Sequence, residues 1–266
     1  MASSLAENFD AYFEIKLADT EDLKNASYKI RHTVYAQELG WEPINLNGKE
    51  TDECDPYAFS ILLVHKRTGQ FAGTVRLVIP PRSMPNSKLP FELHCADTIN
   101  RNIVDPDELE RGSFGEISRL SVPNQFRRRL DEKNKPYVIN EFSGGDIFSE
   151  EERRNFPNIA IGLYLSVIAM VNLCNHSHMF VVVEPRLNKR LKRLGLNFQQ
   201  CGDELDYHGI RALFCLERKD FTGNLNGEVF ELYNLLEQQL QKQMNFYPYT
   251  ENSEILYPHI LKQALV

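Results

Sequence analysis

Three apolar, strand-like segments follow one another in the first half of the chain with no helical pattern between them. Residues 58–65 (AFSILLVH), 71–79 (FAGTVRLVI) and 114–122 (FGEISRLSV) each have the composition of a strand. The first two are separated by Arg67-Thr68-Gly69, a hairpin-like turn, and the third follows a proline-containing excursion over 80–112. Consecutive strands without crossover helices pair at least partly as hairpins, which excludes a doubly wound parallel sheet. A first strand is expected at 12–18. A helix from Thr20 to Gln37 follows, capped by Asp19 or Thr20 and carrying the stripe Leu23, Tyr28, Ile30, Val34 and Tyr35.

The second half alternates. Ser149 to Glu152 fits a capping box, an apolar helix spans 157–174, a strand 178–184 and a short basic helix 186–194. Strands near 196–202 and 207–217, a polar helix near 225–245 and a tail complete the order β-α-β-β-β-α-β-α-β. The fold class is therefore α/β (α+β), a central mixed, mostly antiparallel twisted sheet flanked by helices. The expected organisation is one domain over 1–221, with a charged insertion at about 123–156, and a C-terminal helix and tail over 222–266.

At 266 residues and 42% hydrophobic, the chain can bury a sizeable core. Its formal charge of −7 argues against general nucleic-acid binding. Five scattered cysteines without a C-x-x-C pair suggest neither a disulfide framework nor a structural zinc site. His176-x-His178 is the one close histidine pair, so no metal constellation is expected. The N-terminus lacks the basic start and apolar run of a signal peptide. Residues 159–174 are shorter than a bilayer span of about 20 residues, so a cytoplasmic protein without an integral membrane span is expected.

Charges in apolar strands mark where chemistry belongs. Alternation puts Thr74, Arg76 and Val78 on one face of their strand, and a buried charge must be paired or face a cleft. Glu116 and Arg119 recur in the third strand, where strict alternation would set them on opposite faces. Both reach one cleft only if a bulge interrupts the strand, and a bulged, splayed strand would also free backbone N–H groups to polarise a thioester carbonyl. Arg31 and Tyr35 share a helical face, with the sole tryptophan, Trp41, in the loop beyond. Glu50-Thr51-Asp52-Glu53-Cys54-Asp55 packs four acids into six residues, suited either to solvent or to an ammonium-bearing substrate.

The spacing Arg31, Tyr35, Trp41, then Glu50, Asp52, Asp55, then Arg76, then Glu116-x-x-Arg119 resembles the acyl-homoserine-lactone synthases and the related N-acyl amino acid synthases of the GNAT-like superfamily. Tyr35 stands where the lactone synthases usually carry Phe. The run Val183-Glu184-Pro185-Arg186-Leu187, with Arg190-Leu191, Leu194-Gly195 and Asp206-Tyr207-His208-Gly209-x-Arg211-Ala212, looks more like the acyltransferases associated with the PEP-CTERM/exosortase system. Together these motifs cover roughly residues 28–217.

The resemblance implies a GNAT-like acyl-CoA N-acyltransferase fold and transfer of a fatty acyl group onto the amine of an amino acid or related small molecule. It places Arg31, Tyr35, Trp41, Asp52, Asp55, Arg76 and Ser118 around the substrates. Glu50 or Glu116 is then the base, with Arg119 organising the acids. Coenzyme A-dependent GNAT enzymes carry a glycine-rich turn after the third strand of this set, to hold the pyrophosphate. Here Val122 is followed by Pro123-Asn124-Gln125-Phe126-Arg127-Arg128-Arg129, without glycine. That favours the acyl-phosphopantetheine of an acyl carrier protein over acyl-CoA as donor, with no resident cofactor. Arg127, Arg128 and Arg129, or Lys189, Arg190 and Arg193, are the candidate carrier-docking cations. The helix at 159–174 and its facing strands are the expected acyl tunnel, His208 is expected to be structural or to line that pocket, and a lipid product would permit peripheral membrane association. An acyl-homoserine lactone made from S-adenosylmethionine, and a non-catalytic acyl-binding module, are the competing outcomes.

Overall fold

A computed structural model describes residues 4–80, 84, 86–127 and 148–244. Its first element is a helix absent from the sequence expectation. Ser4 accepts from Glu7 N–H and the Glu7 carboxylate accepts from Ser4 N–H, a capping box that starts α1, Leu5–Tyr12. Then come β1 (Phe13–Leu17) and α2 (Glu21–Arg31), whose Thr20 cap accepts from Leu23 N–H at 3.3 Å. The expected long helix does not stay α-helical: from His32 to Glu38 it widens into a π-helical stretch. After β2 (Ala58–His65) and β3 (Phe71–Val78), the 80–112 excursion holds a short α3 (Pro90–His94). β4 (Phe114–Ser121), α4 (Glu150–Asn155), α5 (Pro157–Leu173), β5 (His178–Val183) and α6 (Pro185–Arg193) follow.

The C-terminal strands differ most from expectation. Within 196–202 only Gln199–Gln200 form a strand, β6, and Gly202 adds an isolated antiparallel bridge to Ile99. Leu196 and Phe198 are drawn into the core beneath α6 instead, and Asn188 Nδ2 donates to the Phe198 carbonyl at 3.2 Å. Leu205–Asp206 form a two-residue β7. β8 runs over Ile210–Glu217 rather than from 207, because His208 and Gly209 have φ of 53° and 99° and close a turn. α7, Gly227–Met244, closes the described chain.

The strands lie in the order β1-β2-β3-β4-β5-β8-β6, with β7 pairing elsewhere along β8. Every neighbouring pair is antiparallel except β4–β5. Val75, Leu77 and Ile79 face the main core with α1, α5 and α7, while Val78 faces a second cluster with Phe91, Phe114 and Phe180. That is the two-face division expected of β3. α5 is buried almost all round, and α1 seats on it at Gly162, where a Cβ would stand 2.3 Å from the Phe9 ring.

α7 also guards the sheet edge. Gln243 Oε1 accepts from Leu17 N–H at 2.8 Å and its Nε2 donates to the Ile15 carbonyl at 2.9 Å, while Gln239 accepts from Ile15 N–H at 3.3 Å. Two glutamines thus stand in for a neighbouring strand on the open side of β1. Gln243→Ala is expected to lower unfolding free energy by about 1–3 kcal/mol, since a buried donor and acceptor lose their partner. Urea titration of both proteins measures the difference, and an unchanged midpoint would show that water replaces the amide without cost.

Candidate active site

Three arginines from three elements converge on the acidic segment 50–55. Arg31, fully buried at the end of α2, donates from Nε to Glu50 and from Nη1 and Nη2 to both oxygens of Asp55, at 2.6 and 3.1 Å. Arg76, on β3, donates from Nη1 to Asp52 at 2.6 Å and Asp55 at 2.9 Å, and from Nε to Ser118 Oγ at 3.0 Å. Arg119, on β4, reaches Glu50 at 3.1 Å, Asp52 at 3.3 Å and Glu42 at 3.4 Å. Seven of the expected site residues therefore share one hydrogen-bonded network. Burial alone would raise the Asp52 carboxyl, but Arg76, then Arg119 and Arg31, outweigh it and hold Asp52 at about 2. Arg76 Nη2 is buried without a partner among the described residues.

A bulge in β4 brings Arg119 to this cluster. Thr74 pairs with Ser121 but Arg76 pairs with Ser118, so β4 carries one residue more than β3 across the interval. Arg119 has a φ of 52°, the left-handed region that a side chain rarely adopts. Upstream, Gly115 lets the strands close tightly, since a Cβ there would stand 2.7 Å from the Val78 carbonyl oxygen. Downstream, pairing between β4 and β5 stops at Ile117–Val181 although both strands continue. The parting leaves a cleft of about 290 Å³ lined by residues 117–120, 181–183, Tyr35, Leu187 and Tyr164. Tyr164 is the sole α5 side chain on this cleft, so the helix expected to form an acyl tunnel contributes one ring.

Beside the cleft, a second cavity of about 320 Å³ is walled by Glu42, Asp52, Glu53 and Glu116 and by aromatic rings. Trp41 stacks on His208 at 5.2 Å between centroids and lies 6.0 Å from Tyr35; Tyr207 continues the row to His94 at 5.4 Å. Tyr35 is anchored by a hydrogen bond from its hydroxyl to the Leu120 carbonyl at 2.9 Å, and the Arg119 guanidinium lies 5.6 Å from its ring. Arg211 lies over Trp41 at 5.2 Å.

Glu116 is the exceptional acid. It is fully enclosed between β4 and α3, where its Oε2 accepts from Phe91 N–H at 2.7 Å. Burial pushes its carboxyl up to about 8, against the Phe91 hydrogen bond and the attraction of Arg76 and Arg119. α3 is itself fixed by Arg111, which donates to both Glu92 oxygens at 2.6 and 3.0 Å. Glu50, in contrast, has one oxygen on Arg31 and the other on Arg119.

The remaining expected positions separate. Arg127 donates to Glu38 at 2.8 Å and to the Val122 carbonyl at 2.6 Å; Arg128 and Arg129 lie outside the described residues. Lys189, Arg190 and Arg193 are exposed on α6 with no ion pair among the described residues.

Residues 30–132 match the family model described as an acetyltransferase (GNAT) domain. No curated protein sequence matches the chain. Among solved structures, the coenzyme A-dependent acyl-homoserine lactone synthase BjaI, with SAM and isopentyl-CoA, superposes with a TM-score of 0.56 at 13% identity, covering 84% of this chain and 87% of its own. The AHL synthase LasI gives 0.52 at 12% identity over 80% and 95% of the two chains. FeeM, an N-acyl amino acid synthase from uncultured soil microbes, gives 0.50 at 12% identity over 80% and 94%. The fold is GNAT-like.

Within this GNAT-like frame, Glu42, His94 and Tyr164 line the site without a sequence signal that marks them, and Tyr207 and Arg211 stand in the sequence only as parts of a motif. Arg211 carried a usable signal, a cation at the head of the apolar run Ala212-Leu213-Phe214. Glu38 carried none, because its partners Asn124 N–H and Arg127 are 86 and 89 residues away. Arg76→Met is expected to cost about 3–5 kcal/mol of stability, since it strips a buried cation from Asp52 and Asp55. Chemical denaturation tests this; a loss below about 1 kcal/mol would mean the pair is not interdependent.

Proposed function

We propose that the chain is an N-acyltransferase that moves a fatty acyl group from an acyl-carrier-protein thioester to the amine of an amino acid or related small molecule. One observation carries the proposal: β4 and β5 part at Ile117–Val181 directly beside Glu116, a carboxyl that burial holds near 8. A thioester in the cleft and an amine in the acidic, aromatic cavity would meet at that point. Glu42, Asp52 and Glu53 attract the ammonium, and Glu116 takes its proton, directly or through water. The neutral amine attacks the thioester carbonyl, and backbone N–H groups of β4 beyond its pairing with β5 steady the oxyanion. The C–N bond forms, the C–S bond breaks, the attacking nitrogen's second proton passes to the sulfur, and the carrier thiol departs.

Between the two candidate bases we assign Glu116. Glu50 acts as a positioning residue, because both its oxygens already hold arginines. The preference for a carrier protein is supported at the turn after β4. There Glu38 accepts from Asn124 N–H at 2.9 Å and pairs with Arg127, and a carboxylate that takes up both an N–H and a cation at this turn disfavours a second anion beside it. Docking of an acidic carrier is assigned to Lys189, Arg190 and Arg193 on α6.

Glu116→Gln is expected to lower kcat by about 10²–10⁴-fold with little change in KM. The base must be ionised to act, and a raised pKa delays ionisation, so kcat/KM of the native protein should rise through pH of about 8. The Gln variant should lack that inflection, and a variant as active as the parent would remove Glu116 from the chemistry. Incubation with acyl-carrier thioester and a panel of amines, followed by mass spectrometry, identifies the product. An acyl-homoserine lactone formed from S-adenosylmethionine would overturn the amino acid assignment, and acyl binding without any product would mark a non-catalytic module.

A further inference from the structure

α6 begins two residues after β5, at the end of the β4–β5 pair where the strands part, so its first turn stands at the mouth of the cleft. A surface hollow of about 300 Å³ lies there, lined by Val183, Glu184, Arg186, Leu187, Arg190 and Arg211. Val183, Leu187 and Arg211 also line the cleft, so the two spaces adjoin. Arg186 and Arg190 are four residues apart and share one face of α6. Neither has an ion pair among the described residues, and Arg211 Nε is buried without a hydrogen-bond partner. Three guanidinium groups thus face one carboxylate, Glu184, in a chain whose net charge is −7.

The opposite lip of the cleft is different. Its described cation, Arg127, is neutralised by Glu38, which also takes the Asn124 N–H. Among the described residues, an anion entering with the donor meets only a paired cation on the β4 side, and on the β5 side two arginines without an ion pair and Arg211, which lies over the Trp41 ring. We propose that Arg186, Arg190 and Arg211 form the binding site for the 4′-phosphate of the donor's phosphopantetheine arm. This rests on the acyl-thioester proposal and extends it. The phosphate, common to coenzyme A and to a carrier's prosthetic group, is held on the β5–α6 side of the cleft mouth and not at the turn after β4. Planar guanidinium forks suit a phosphate's oxygens, and the position lets the arm run from the hollow into the cleft.

Equilibrium titration of the full chain with 4′-phosphopantetheine and with unphosphorylated pantetheine tests the site without requiring turnover. The phosphate is expected to tighten binding by about tenfold or more, and Arg186→Gln with Arg190→Gln should abolish that difference while leaving the affinity for pantetheine itself. Both residues are exposed, and circular dichroism of the variant controls for folding. A native protein that binds the two compounds equally would overturn the proposal, as would a variant that still distinguishes them tenfold. With acyl-CoA and acyl-carrier protein compared as donors, Arg186→Gln should raise KM for whichever the native protein uses, because both carry the phosphate. Phosphate-dependent binding with no product from any amine would sink the acyl-transfer assignment and leave the site standing.

Discussion

The pairing of Arg31, Arg76 and Arg119 with Glu50, Asp52 and Asp55 is the interaction on which the rest of the site depends. It ties α2, the 50–55 segment, β3 and β4 into one unit, although these elements are far apart in sequence. Ions taken out of water are costly, and mutual attraction offsets the cost only when nearly every donor and acceptor is used. Here Arg31 uses all three guanidinium nitrogens, whereas Arg76 leaves Nη2 without a partner. Such a cluster adds little net stability over a packed apolar one, but it tolerates few arrangements. Its value is to fix where β4 must bend.

That bend follows from conflicting demands on one strand. Ile117 must face the main core, Ser118 must meet Arg76, and Arg119 must reach Glu50. Regular alternation cannot satisfy all three, so one extra residue enters β4 and Arg119 adopts a positive φ. A strand bent in this way no longer runs alongside β5, and the cleft is the geometric consequence. The π-helical stretch after α2 acts in the same direction. It carries Tyr35 to the Leu120 carbonyl, just past the bulge, and Trp41 follows against His208.

Much of this was legible from residues 58–122, because the signals there are local. Strand alternation separated Arg76 from Val75 and Leu77, and the misfit of Glu116 with Arg119 made a bulge the condition for their sharing one cleft, which the register between β3 and β4 meets. The mixed sheet followed from three strands without crossovers. What was illegible depends on contacts made at long range. The short α3 gives no periodic signal, yet its Phe91 N–H holds Glu116. The 196–202 segment has strand composition, but Leu196 and Phe198 are claimed by the core under α6. α1 needed only a capping box in its first residues, Ser4-x-x-Glu7, and was overshadowed by the strand beside it.

The same network explains why Glu116 is held near 8 with two arginines close by. Arg76 and Arg119 do pull its carboxyl down, but each is already bound to acids of its own, Asp52 and Asp55 for one and Glu50 and Asp52 for the other. A cation whose charge is offset by nearer carboxylates exerts a weak net field on a more distant one. Desolvation between β4 and α3 therefore prevails. Asp52, more exposed and in direct contact with Arg76, falls to about 2 in the same network. Two carboxyls lining one cavity are thus driven apart, Asp52 kept charged and Glu116 held near 8, the separation that the proposed ammonium binding and proton transfer would use. The separation holds because Arg76 and Arg119 each lie closer to other carboxylates than to Glu116.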